Sequence, residues 1–275
     1  MNHGTGGGIM RGPSDPPRHA VTPPSTRDLR FLLLQVRNPD DRMRGQEISC
    51  FERCFRLPAG QVEAVDLLGA APTAAHIDRA DVVLLGGSGD YSVARGGAWL
   101  PAALDAMVGL HESSKPTFAS CWGFQAMARA MGGSVVTDRS RAEVGVTWLE
   151  LTEAGLEDPV FGPLGPRFRA VSGHEDIVEE LPVSASLLAS SEVVENQAFH
   201  FPGKPIYCTQ FHPELDRAGL LLRIGRYPSY LPLAGARTLD DLAEMTPELD
   251  HVEGILQRFL DVAFPDPGGV AAGRG

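Results

Sequence analysis

The sequence predicts an α/β protein whose mostly parallel sheet is continued by an antiparallel part and followed by a C-terminal helical extension. Three observations carry this prediction. Between Leu29 and Met131, short apolar runs alternate with stretches of helical pattern. Between Val144 and Gln210, β-rich pieces follow one another with little helical signal. From Tyr227 to Phe264, the apolar residues return at helical spacing.

Taken in order, Leu29 to Val36 is an apolar run of the kind found in a strand covered on both faces. Gln46 to Phe55 reads as a helix, Val62 to Leu68 as a second strand and Thr73 to Arg79 as a second helix. Asp81 to Leu85 is a third strand, stopped by Gly86 and Gly87. Trp99 to Leu110 fits a helix with Pro101 in its first turn. Pro116 to Ser120 is a fourth strand entering a helix from about Gly123 to Met131, which Gly132 and Gly133 terminate. The β-rich half comprises Val144 to Leu151, Arg167 to Val171, Ser186 to Ser190, Asn196 to Phe201 and Pro205 to Gln210. In the extension, Thr246-Pro247 reads as a helix start, and Val252, Ile255, Leu256, Phe259 and Leu260 form one apolar stripe. The expected organisation is a disordered leader over 1–28, the main domain over 29–222, the helical extension over 223–264 and a disordered tail over 265–275.

The chain has 275 residues, 43% of them apolar, enough to bury a full core. Its formal charge of -11 repels phosphate backbones and anionic lipid, so neither nucleic acid nor a membrane surface is an expected partner. With no run near the ~20 apolar residues of a membrane span and no secretory signature, the expected location is cytoplasmic. The four cysteines have no framework spacing, which leaves a reduced thiol free to act as a nucleophile. Cys50 and Cys54, four apart, read as buried small residues rather than a zinc site.

Three segments carry chemistry. In Thr117-Phe118-Ala119-Ser120-Cys121-Trp122-Gly123-Phe124-Gln125, a strand runs into a cysteine flanked by small residues and then into a helix. That is the pattern of a nucleophile elbow, which lifts a thiol to a helix N-terminus whose partial positive charge favours the thiolate. In Ile206 to Glu214, a second strand delivers His212, with Pro213 closing it and Glu214 near enough to orient the imidazole. Gly86-Gly87-Ser88-Gly89-Asp90 follows a strand directly, and glycines there allow backbone N–H groups to approach an oxyanion.

These motifs, in this order and spanning about Leu29 to Leu222, resemble those of the class I glutamine amidotransferases, in particular stand-alone domains similar to the amidotransferase half of GMP synthase. Val171-Ser172-Gly173-His174-Glu175-Asp176 ahead of Leu181-Pro182 is similar to a further family segment. The resemblance implies a flavodoxin-like three-layer sandwich and a catalytic set of Cys121, His212 and Glu214. It implies an oxyanion hole from the backbone N–H groups of Gly87 and Trp122. Gln125 and the segment Ser172, Gly173, His174 and Glu175 would grip the substrate's α-carboxylate and α-amino group. The implied chemistry needs no metal or cofactor. Three departures stand out. Ala119 stands where the family usually has glycine, still small but with a methyl that could crowd the elbow. Ser88 stands where the family often has proline, and Phe124 replaces a frequent histidine at a variable position and is expected to line the site.

The resemblance implies glutamine or a small γ-glutamyl amide as substrate, with a separate ammonia-accepting synthase as partner. No Ser-Gly-Gly-x-Asp-Ser loop of an ATP-pyrophosphatase follows the motifs, so this chain is not expected to make GMP unaided. Three activities stay open on sequence alone: a glutaminase or amidotransferase, a γ-glutamyl hydrolase or peptidase with Phe124, Tyr91 and the extension shaping a wider mouth, and a catalytically silent regulatory module.

Overall fold

A computed structural model describes residues 1, 26–69, 71–247, 249 and 252–265. Apart from residues 1, 26–28 and 265, the expected leader and tail lie outside the described residues. The first half alternates strands and helices: β1 (Phe31–Val36), α1 (Met43–Phe55), β2 (Val62–Asp66), α2 (Ala74–Arg79), β3 (Val82–Ser88), α3 (Leu100–Glu112), β4 (Thr117–Ser120) and α4 (Trp122–Ala130). The second half holds β5 (Ser134–Thr137), β6 (Glu143–Leu151), α5 (Glu153–Glu157), β7 (Arg167–His174), β8 (Asp176–Glu180), β9 (Ser186–Ser191), β10 (Ala198–His200) and β11 (Ile206–Thr209). The chain ends in α6 (Arg217–Arg226), α7 (Leu239–Met245) and α8 (Gly254–Ala263).

One nine-stranded sheet runs in the order β2-β1-β3-β4-β11-β10-β9-β6-β7. The first five of these strands pair in parallel and the remainder antiparallel, a parallel sheet continued by an antiparallel part as expected, except that β11, from the β-rich half, inserts in parallel beside β4. β5 and β8 form a separate two-stranded antiparallel ribbon.

The period-2 geometry of β1 sorts its residues to opposite faces. Phe31 and Leu33 join Phe51 and Phe55 of α1 and Ile255, Leu256, Phe259 and Leu260 of α8 in one core. Leu32 and Leu34 join Ala103 and Met107 of α3 and Met127 of α4 in the other. The result is a three-layer sandwich. Of the stripe read on the extension, Ile255, Leu256, Phe259 and Leu260 form the buried face of α8 and Val252 is buried just ahead of it. Phe259 packs edge-on against Phe118 of β4 at 5.6 Å between ring centroids.

Some details differ from expectation. β3 does not stop at Gly86 but continues through Gly87 to Ser88, because glycine keeps the extended backbone while admitting side chains on either face. Thr246 caps the C-terminal end of α7, its hydroxyl donating to Leu242 O, rather than starting a helix; α8 begins at Gly254. α6 begins soon after β11, capped at its N-terminus by Asp216, and residue 222, the expected end of the main domain, falls inside it. Cys50 and Cys54 are both buried on α1. Among the described residues, no helix is long and apolar enough to cross a membrane.

Candidate active site

Parallel pairing sets the carboxyl ends of β3, β4 and β11 side by side. In open α/β sheets the crevice beyond such ends is where ligands bind. β4 ends at Ser120, and Cys121 takes φ 51° and ψ -101°, with its N–H donating to Thr209 O at 2.8 Å. A positive φ at a non-glycine residue stores strain of order ~1–3 kcal/mol, and it projects the thiol away from the sheet. The chain enters α4 at once, so Trp122 sits in the first turn, where no helical carbonyl is available to its N–H. Gly123 is obligatory: a Cβ there would stand 2.4 Å from Leu85 Cβ. Ala119 does not crowd the elbow, since its methyl lies in the core beneath α3 and α4. Phe124 is fully buried against Phe199, with ring centroids 5.0 Å apart, and does not line the site. It sits on the core face of α4, one position from Gln125, which faces the cleft.

His212 follows β11 and is held by its own N–H donating to Val171 O at 2.8 Å. Its Nδ1 lies 2.7 Å from Glu214 Oε1, and Glu214 is fully buried. Burial opposes a charge on the imidazole, but the Glu214 carboxylate and the Cys121 side chain outweigh it and push the His212 pKa up to about 9. Burial likewise opposes charge on Glu214, yet His212 and Arg223 hold its pKa below the usual carboxylate range. Arg223 Nη1 stands 3.5 Å from the same Oε1 that His212 uses.

A second buried carboxylate supports this set from behind. Glu47, fully buried on α1, receives Arg37 Nη2 at 3.1 Å and Gln35 Nε2 at 2.9 Å, and Arg223 Nη2 stands 3.8 Å away. Glu47 Oε1 also accepts the Gly87 N–H at 3.0 Å. As folded, therefore, Gly87 does not present its N–H to the thiol as the resemblance implies, because the buried carboxylate claims it. The absence of a side chain at Gly87 still matters, since a Cβ would lie 2.9 Å from His212 Cε1.

Two adjoining clefts meet at this centre and share Ser88, Gly173 and Tyr230 as walls. The first contains Cys121 together with Trp122, Gln125, Gly173, His174 and Glu175. The second contains His212 with Ser172 and Gly173. Gln125 Nε2 donates to Asp176 O at 2.9 Å and to Gln210 Oε1 at 3.2 Å, so only its carbonyl oxygen is left for a ligand. The His174 ring is buried, with Nε2 3.2 Å from Glu143 Oε2 and Nδ1 3.2 Å from Asp176 O; it props the wall rather than reaching into the cleft. Ser172 Oγ is buried without a hydrogen-bond partner among the described residues. The structure thus gathers Cys121, His212, Glu214, Trp122, Gln125, Gly173 and Glu175 at one centre, places Ser172 and His174 in its walls, and turns Gly87 N–H away.

Sequence reasoning misses Arg95 and Tyr230. Among the described residues, Arg95 is the one Arg or Lys lining the first cleft, and Tyr230, from the 3-10 turn after α6, separates the two. Burial, with the Cys121, Glu175 and Asp176 charges, pushes the Tyr230 phenol up to about 12, so it stays a neutral hydroxyl.

The family model described as glutamine amidotransferase class-I matches residues 61–218, which include the elbow, the histidine strand and the wall between them. The chain belongs to the class-I glutamine amidotransferase family. Among similar proteins, a glutamine-hydrolyzing GMP synthase subunit of Methanothermobacter thermautotrophicus is 37% identical over 100 residues, 36% of this chain and 52% of that one. Gamma-glutamyl peptidase 4 of Arabidopsis thaliana is 32% identical over 148 residues, 53% of this chain and 57% of that one. The chain spans about half the length of the curated relatives it matches. The amidotransferase fold is shared with a glutamine amidotransferase of Thermotoga maritima at a TM-score of 0.68 and 22% identity, covering 86% of this chain and 97% of that one. A glutamine amidotransferase of Methylobacillus flagellatus gives 0.65 and 17%, covering 90% and 100%.

Proposed function

We propose that this family member hydrolyses the side-chain amide of glutamine through a γ-glutamyl thioester on Cys121, releasing ammonia and glutamate. The observation that carries the reading is the strained cysteine at the N-terminus of α4 beside a buried His212–Glu214 pair. Cys121 Sγ attacks the amide carbon, and His212, charged through Glu214, hands its proton to the departing nitrogen. Water then attacks the thioester, with His212 taking its proton and returning one to the thiol.

The Trp122 N–H supports the oxyanion, and the Gly87 N–H joins it only by leaving Glu47. Arg95 suits the substrate α-carboxylate, and the Gln125 carbonyl oxygen suits the α-ammonium. The relatives designated as a GMP synthase subunit support a second step, delivery of the ammonia to a separate synthase.

A glutamine-shaped electrophile such as 6-diazo-5-oxo-L-norleucine tests the reading. Mass spectrometry is expected to find one adduct, on Cys121, and His212→Ala is expected to slow its formation at least about a hundredfold. Labelling of Cys50, Cys54 or Cys208 at the same rate would contradict it.

A further inference from the structure

The second cleft is lined by His212, which in the reading above protonates the departing nitrogen, so it adjoins the leaving group. Cys121 lines the first cleft and His212 the second, and Gly173 borders both. A γ-glutamyl group seated in the first cleft presents its carbonyl to Cys121 and its amide nitrogen toward His212. Any substituent on that nitrogen therefore points into the second cleft.

The accessible walls of this cleft are mainly apolar, and Ser172 Oγ and Arg223 Nη2, without hydrogen-bond partners among the described residues, are buried behind them. Val171, Leu215, Leu220 and Ile224 form a buried cluster along it. Its two guanidinium groups are already neutralised: Arg37 by Glu47 and Asp41, Arg223 by Glu214 and Glu47. An acidic substituent thus finds no spare cation among the described residues of the wall, whereas an alkyl chain finds hydrocarbon. Leu220, Arg223, Ile224, Tyr227 and Tyr230 all lie beyond residue 218, where the family match ends. The leaving-group wall is thus shared between the matched region, which supplies Val171 and Leu215, and the segment after it, which supplies Leu220 and Ile224.

We infer that the second cleft is a subsite for an apolar N-substituent, making γ-glutamyl alkylamides better substrates than glutamine. This rests on the thioester reading above. The Cys121 Sγ–carbon bond forms, the carbon–nitrogen bond breaks, and the His212 proton leaves with the amine as R-NH2; water then releases glutamate and restores the thiol.

The test compares kcat/KM for L-glutamine, γ-glutamyl-ethylamide, γ-glutamyl-n-butylamide and γ-glutamyl-glutamate. We expect the butylamide to exceed glutamine by at least about tenfold, with γ-glutamyl-glutamate below both alkylamides. In Ile224→Phe, which fills the cleft, the ratio of butylamide to glutamine is expected to fall toward one. Tyr230→Ala, at a partly exposed position, is expected to shift the preference toward longer chains. Glutamine turned over as well as the butylamide would overturn the subsite and leave the hydrolase reading intact. If no amide is cleaved, the hydrolase reading fails and calorimetry on Cys121→Ala decides the subsite. Tighter binding of the butylamide than of glutamine supports it, and equal or absent binding overturns it.

Discussion

At the scale of single residues, the charge on His212 is set by Glu214. The imidazole is held up to about 9 against an ordinary value of 6.5, so the cation persists through neutral pH and is lost only as pH rises through about 9. If the thiolate–imidazolium pair is the working form, kcat/KM falls on the alkaline side near that value. In Glu214→Gln the negative charge that favours the cation is gone, the His212 pKa drops, and the alkaline limb moves to lower pH. We expect that displacement in the pH profile, together with a loss of kcat of about 10²–10⁴-fold. An alkaline limb left in place would show that Glu214 does not control the proton on His212. Cys121, His212 and Glu214 are legible in the sequence because each sits where a strand ends, a place marked by small residues or a proline. Arg95 and Tyr230 are not, since they reach the cleft from a loop and a short 3-10 turn with no periodic signal. The capture of Gly87 N–H is equally hidden: Glu47 lies forty residues away on another element.

At the scale of elements, strong apolar runs identify the central strands because both faces of the sheet are covered. The ribbon strands β5 and β8 leave no such mark: Ser134–Thr137 is short and half exposed, and it carries no alternation long enough to read. α6 is obscured for a different reason. Its N-cap, Asp216, accepts from Gly219 N at 2.7 Å, but that signal is crowded against the His212-Pro213-Glu214 motif. The stripe on α8 is plain in the sequence, and it supplies part of one hydrophobic core rather than decorating the surface. Phe259 is fully buried against Phe118 and Tyr207. We expect Phe259→Ala to cost about 3–5 kcal/mol in a denaturant melt. A loss below ~1 kcal/mol would mean that α8 is an appendage and not part of the core.

At the scale of the whole molecule, the sheet order and the three layers place Gly87, Cys121 and His212 at one crevice, and the segment after β11 closes its far side. The parallel-then-antiparallel architecture follows from the order of elements along the chain, because βα alternation and meanders have few other solutions. The two-cleft arrangement does not, since it depends on how α6 and the turn at Tyr230 settle against the sheet. Amide hydrolysis carried by Cys121 is tested by measuring glutamate release from L-glutamine by the purified chain beside its Cys121→Ala variant. We expect turnover that the variant loses by at least about a thousandfold while keeping its fold. Glutamate release unchanged in Cys121→Ala would contradict it.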